Sequence, residues 1–222
     1  MASRSVTPVT QRSGAVRRRM PAPERREAIL AAALEVFGER GFHEASLEDV
    51  AARGGISKAL IYEHFQSKRD LERALLEAHV DELLHRVLEA IASASDEEER
   101  LRFGVEAFLR FVEERPVAWR LLFRNVGDPD IAEPFARLQE EVAGTIAALM
   151  TINVPESYRA ADPEFAQAAE MTAQQLTGAV QSLANWWDDH RDVPRERVLE
   201  LAMDFAWIGL ARLGTGERWS AR

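Results

Sequence analysis

Six side chains between residues 46 and 68 can act together on an anion: Ser46, Ser57, Lys58, Tyr62, His64 and Lys68. They supply hydroxyl, ammonium, phenol and imidazole groups, all able to donate to a phosphate oxygen. Ser57 and Lys58 stand at the start of a short helix, where unpaired amides and the positive dipole end add to the attraction. Tyr62 follows Lys58 by four residues, on a nearby face, and its hydroxyl can reach a phosphate. His64 and Lys68 come next, placed to grip the flanking backbone. Ser46, at another helix start, would hold phosphate on the far side. What catalysis needs is missing. The histidines are His43, His64, His79, His85 and His190. His79 and His85 are six apart, not the four that puts two ligands on one helix face. No His-Glu-x-x-His, Gly-x-Ser-x-Gly or phosphate-cradling glycine loop occurs, and there is no cysteine. No catalytic residue, metal site or cofactor is expected.

The elements that must position these groups are short and well punctuated. Ser46, with Asp49 three residues on, is a capping-box variant that opens a helix over 46–53. Leu47, Val50 and Ala51 give that helix an apolar face. Gly54-Gly55 ends it, since glycine takes a left-handed backbone freely. Ser57 caps a third helix through about Phe65. Two short helices at a three-residue turn form a helix-turn-helix, whose second helix enters the major groove with its N-terminal residues on base edges. The plainer reading is two packed helices of any all-α protein, with Tyr62 and Phe65 in the core and His64 on the surface. Charge favours the first. The chain carries −9 in all, yet residues 1–68 hold 11 basic and 8 acidic side chains, a local excess of three positive charges. A basic end on an acidic body is the pattern of a nucleic-acid-facing segment.

The rest of the chain reads as helix throughout. Ala, Leu, Glu and Arg dominate and strand-like alternation is missing. Residues 1–22 lack any hydrophobic period and read as a disordered basic tail, either a solvated extension or an arm adding phosphate contacts. Helices are expected over 24–40 with a stop at Gly41, 67–93, 96–114, 117–126, 130–150, 163–190 and 194–214. With the two short ones this makes about nine, an all-α chain. Its divisions are a tail at 1–22, a three-helix DNA-binding domain at 23–70, a larger ligand-binding and dimerisation domain at 71–215 and a tail at 216–222.

The run Arg26-Glu27-Ala28-Ile29-Leu30-Ala31-Ala32-Ala33-Leu34-Glu35-Val36-Phe37 is followed by Gly41-Phe42, Ser46-Leu47-Glu48-Asp49-Val50-Ala51, Gly55-Ile56-Ser57-Lys58 and Tyr62-Glu63-His64-Phe65-Gln66-Ser67-Lys68. In order and spacing this resembles the N-terminal domain of the tetracycline-repressor (TetR) family of bacterial transcription regulators. The resemblance implies an all-helical homodimer, with three helices for DNA and a ligand-binding, dimerising body. By position it implies that Ser46 contacts phosphate and that Ser57, Lys58, Ala59 and Leu60 form the exposed start of the recognition helix. Tyr62 and His64 look like its phosphate-binding pair, and Lys68 like the lysine that holds backbone phosphate from the fourth helix. Leu60 departs from the family's usual Thr or Ser, so a thymine methyl would replace a hydroxyl contact there.

In the body, Phe103, Phe108, Phe111, Trp119, Leu122, Phe123, Phe135 and Met171 are enough to line an apolar pocket, with Gln175 among the polar residues nearby; equally, they can fill a core. They point to a small hydrophobic effector. The last two helices carry apolar stripes, Leu176, Val180, Leu183 and Trp187 on one and Leu201, Phe205 and Ile208 on the other. These suit a buried hairpin or, as the resemblance implies, a four-helix dimer interface. No run is long and apolar enough for a membrane span and no secretory signal is present. The expectation is a cytoplasmic repressor, not an enzyme, that binds a palindromic double-stranded operator as a homodimer. The alternative is a helical small-molecule binding protein without DNA recognition.

Overall fold

The computed structural model describes residues 21–123, 140, 142–148 and 164–214, the side chains of 209–214 excepted. Among them the chain forms eight helices and no strand: α1 (Ala22–Glu44), α2 (Leu47–Gly54), α3 (Lys58–His64), α4 (Lys68–Ala92), α5 (Glu97–Glu114), α6 (Pro116–Phe123), α7 (Phe165–Asp188) and α8 (Arg195–Gly214). A further helical run covers 142–148, inside the stretch expected for the seventh helix. The all-α reading with nine helical segments therefore holds. The two tails (bar the last residues of 1–22), Phe135 and most of 130–150 lie outside the described residues.

Local signals explain the boundaries. α1 opens with proline in its first turn, where the missing amide costs nothing. Its helical backbone breaks at Gly41, at φ 77°, and one further turn runs to Glu44. That turn lets Phe42 meet Phe37 edge-on, with centroids 5.6 Å apart. The break expected between the helices at 96–114 and 117–126 falls at Arg115, and Pro116 is the first residue of α6, the helical position that tolerates proline best.

Two clusters of buried side chains organise the molecule. Ile29, Val36, Phe37, Leu47, Val50, Ile61, Phe65, Leu71 and Leu75 form most of the first, along α1–α4. Leu83, Leu109, Phe111, Val112, Trp119, Leu122, Ala184, Trp187 and Val198 form the second, within α4–α8. Two helices serve both. α4 places Leu71 and Leu75 in the first cluster and Leu83 in the second, while α6 sends Leu121 to the first and Trp119 and Leu122 to the second. α6 comes so close to α1 that a Cβ at Gly38 would overlap the Cγ1 methyl of Val117.

Ion pairs join the same elements. Glu82 of α4 accepts from Arg86 at 2.6 Å and from Arg115 at 3.2 Å, and Arg86 also reaches Glu114 at 2.7 Å. On α7 the Asp188 carboxylate is buried and held by Arg120 at 2.7 Å and Arg191 at 2.6 Å. Burial pushes its pKa up, but the hydrogen bonds and charges of the two guanidinium groups win and hold it at about 2.

Candidate nucleic-acid interface

α2 and α3 meet at Gly55, which takes the left-handed backbone at φ 62°. A residue with a Cβ would be strained there. The capping box expected at Ser46 is complete. Its hydroxyl accepts from the Asp49 amide at 3.1 Å and donates to Asp49 Oδ2 at 2.6 Å, and its own amide reaches that oxygen at 3.0 Å. The hydrogen bonds from Ser46 lower the Asp49 pKa. Arg40 of α1 pairs with Asp49 at 2.8 Å, and Arg53 of α2 pairs with Glu39 and Glu35 of α1, so α2 is fastened along its length. Ser57 caps α3 by accepting from the Leu60 amide at 3.2 Å.

The residues expected to face DNA fall into three groups. Ser57, Lys58, Ala59 and Tyr62 are exposed, Tyr62 by 52% despite its large ring. Lys58 Nζ lies 5.8 Å from the centre of that ring, over its face. Ser46, His64 and Lys68 are half-buried at the edges of this face. Lys68 Nζ donates to the His43 carbonyl at 3.2 Å and sits 4.3 Å from the centre of the Phe42 ring, which fixes its ammonium beside the N-terminus of α4. Leu60 is half-buried and packs against the first cluster, which takes up part of the side chain expected to meet a thymine methyl. One partner escaped the sequence reading. Glu48, two residues after Ser46, holds Lys58 Nζ in an ion pair across the turn. The hydrogen bond raises the Lys58 pKa and lowers that of Glu48.

The residues expected in an effector pocket divide. Phe111, Trp119, Leu122 and Phe123 are buried together in the second cluster, with Trp119 stacked on Phe123 at 4.0 Å and Phe108 edge-on to Trp119 at 5.4 Å. Phe103 lines an open groove of about 510 Å³ between α4 and α5, beside Arg86, Glu106, Arg110 and Glu114. Met171, 58% exposed, and Gln175 do not join them. Both lie on the side of α7 opposite Ala173, Ala184 and Trp187, the residues turned inward. Three polar atoms in the body are buried without a hydrogen-bond partner among the described residues, His79 Nδ1, Trp119 Nε1 and Asn185 Oδ1.

The residues expected at a dimer interface divide too. Leu201, Phe205 and Ile208 form an exposed stripe on α8, at 52%, 71% and 56%. Leu176, Val180 and Leu183 are half-buried along α7. Trp187 is not available to a partner. It is 1% exposed in its own chain's core, and its indole N–H donates to the Val193 carbonyl at 2.8 Å. The stripe at 176–187 shows which face is apolar, and only packing decides where along that face the chain's own core ends.

Comparison with known proteins agrees with this geometry. Residues 29–75 match the family described as bacterial regulatory proteins, tetR family. Residues 97–209 match the tetracyclin repressor-like C-terminal domain. The chain is 35% identical over 199 residues to the HTH-type transcriptional activator FasR of Mycolicibacterium smegmatis, covering 88% of this chain and 87% of that protein. It is 40% identical over 60 residues to the HTH-type transcriptional repressor BepR of Brucella suis, covering 27% and 29%. A TetR-like regulator from Rhodococcus sp. RHA1 superposes with a TM-score of 0.66 at 28% identity, over 87% of this chain and 99% of that one. The described helices thus carry the first matched domain, much of the second and an exposed α3 face, and the chain belongs to the TetR family of helix-turn-helix transcriptional regulators.

Proposed function

We propose that the chain binds a palindromic DNA operator as a homodimer, through α2 and α3 of each subunit, and that a small, largely apolar effector releases it. Residues 23–70 serve as the DNA-binding unit and 71–215 as the ligand-binding and dimerising body. The observation that carries this is the start of α3. Ser57, Lys58, Ala59 and Tyr62 stand exposed on a helix whose other side, through Ile61, is fully buried. A carrier of small molecules has no use for such a face. The exposed stripe Leu201, Phe205 and Ile208 supports a two-fold interface through α7 and α8. Two recognition helices would then stand about 34–36 Å apart, one turn of DNA. The aromatic second cluster supports an apolar ligand, and the buried Trp119 Nε1 and Asn185 Oδ1, without a hydrogen-bond partner among the described residues, support a polar group on it. α4 and α6 reach both clusters, so a ligand that alters their packing changes the spacing of the recognition helices. By linkage it weakens DNA binding by the same coupling, typically about 1–3 kcal/mol. Such a regulator works in the cytoplasm, where the bacterial chromosome is, and needs no catalytic step.

Release from an operator that overlaps a promoter is repression, the reading favoured here. Activation is the second reading, supported by the similarity to FasR over most of the chain. Selection of bound DNA from a random duplex pool tests the proposal. A palindrome with half-sites one helical turn apart is expected. Recovery of no sequence, together with salt-independent binding, would leave a helical small-molecule protein without DNA recognition. A reporter driven through the selected operator then fixes the sign of regulation.

A further inference from the structure

The two lysines of the DNA-facing surface are held in opposite ways. Lys68 is fixed by neutral groups, the His43 carbonyl and the Phe42 ring, and so presents its whole charge. Lys58, on the recognition helix itself, is paired with the carboxylate of Glu48. The wider domain shows the same restraint. Arg40, Arg53 and Arg73 are each paired with carboxylates. Of the 11 basic residues in 1–68, five (Arg4, Arg12, Arg17, Arg18 and Arg19) precede residue 21, leaving six against eight acidic ones in 21–68. The folded DNA-binding unit therefore carries a net charge of −2, which is unusual for a surface that meets phosphates.

We propose that Glu48 restrains Lys58 and so keeps the affinity for DNA of arbitrary sequence low, the ammonium being given up only where a base edge adds its acceptors to those of the phosphates. Any duplex offers phosphates, but leaving Glu48 for a phosphate exchanges one anion for another and strands a carboxylate against the DNA. A guanine O6/N7 pair, reached only at the right position, adds a directed acceptor to the same exchange. Glu48 is thus a specificity-determining residue that acts through Lys58. The inference rests on the α3 face being the DNA-binding face.

The test uses the full chain and a short duplex of random sequence, with binding followed by fluorescence anisotropy across a salt series. Glu48→Gln is expected to raise affinity on the order of tenfold and to steepen the log–log salt slope by about 0.9, the value of one more phosphate contact. The thermal midpoint should hardly move, because the pair is exposed. Adding Lys58→Gln to Glu48→Gln should return both affinity and slope to the wild-type values. Unchanged affinity and slope in Glu48→Gln would overturn the proposal. So would a double variant that keeps the whole gain, since Glu48 would then act only by repelling phosphate. If the wild type shows no salt-dependent duplex binding, the DNA-binding reading of α3 fails with it.

Discussion

The DNA-binding unit and the body are built from helices of different kinds. α2 and α3 have eight and seven residues, and each opens on a serine whose hydroxyl accepts an amide from three residues on. Helices this short are unstable alone in water, so caps, turn glycines and a shared core must all agree. Almost every side chain then has one assignable place: cap, core or open face. α5, α7 and α8 have 18, 24 and 20 residues. α7 begins without a side-chain cap. Long helices carry more apolar surface than one chain can cover. What remains, such as Leu201, Phe205 and Ile208, stays exposed and is the surface proposed for a partner. The short helices thus form a surface whose shape is settled within the chain, and the long ones leave an apolar surface open, which the proposed partner would cover.

Substitutions can break or sharpen this contrast. The largest effect is expected in the body's own core. Trp187→Ala should cost about 3–5 kcal/mol in urea unfolding, by loss of buried area and the cavity left behind. Phe205→Ala, on the exposed stripe, should leave unfolding of the isolated subunit within about 0.5 kcal/mol of wild type while weakening self-association in sedimentation. Equal costs at the two positions would remove the distinction between core and partner surface. Next comes Asp188→Asn, which loses charge-assisted hydrogen bonds from Arg120 and Arg191 and should cost about 1.5–3 kcal/mol at neutral pH. The sign of the acid dependence follows from the lowered pKa. Asp188 stabilises the fold above its ordinary value of 3.8, and that contribution is lost as pH falls toward about 2. The acid limb of a denaturation profile should therefore be shallower in the variant. The smallest loss among residues bonded within the chain is expected in the DNA-binding unit. Ser46→Ala removes one cap and should cost about 1 kcal/mol, with a larger proportional loss in operator binding, because α2 would no longer hold its start.

Legibility follows the same division. The capping box at Ser46 and Asp49, the break at Gly41 and the turn at Gly55 are written in neighbouring residues, so the helix-turn-helix could be read before any contact was known. In the body the helical period shows which side of a helix is apolar but not what covers it. Hence Trp187, expected at an interface, sits in the core, and Met171, expected in a pocket, faces outward. The division between the helices expected over 96–114 and 117–126 was legible to within one residue, because proline suits a first helical turn and not a helix interior. The pairing of Glu48 with Lys58 spans ten residues and a turn, and no local pattern announces it. Its trace is only positional: each residue stands in the first turn of its helix, and the turn brings those two starts together.

The notch at Gly38 has a mechanical meaning. With the Val117 methyl seated where any larger residue would place its β-carbon, α1 and α6 mesh like a tooth in a rack. Well-packed atoms resist compression, so α6 cannot advance on α1 without carrying it along. A bulkier residue at position 38 would pry the two helices apart and uncouple the front of the molecule from the back, even with every side chain of the proposed DNA-facing surface untouched.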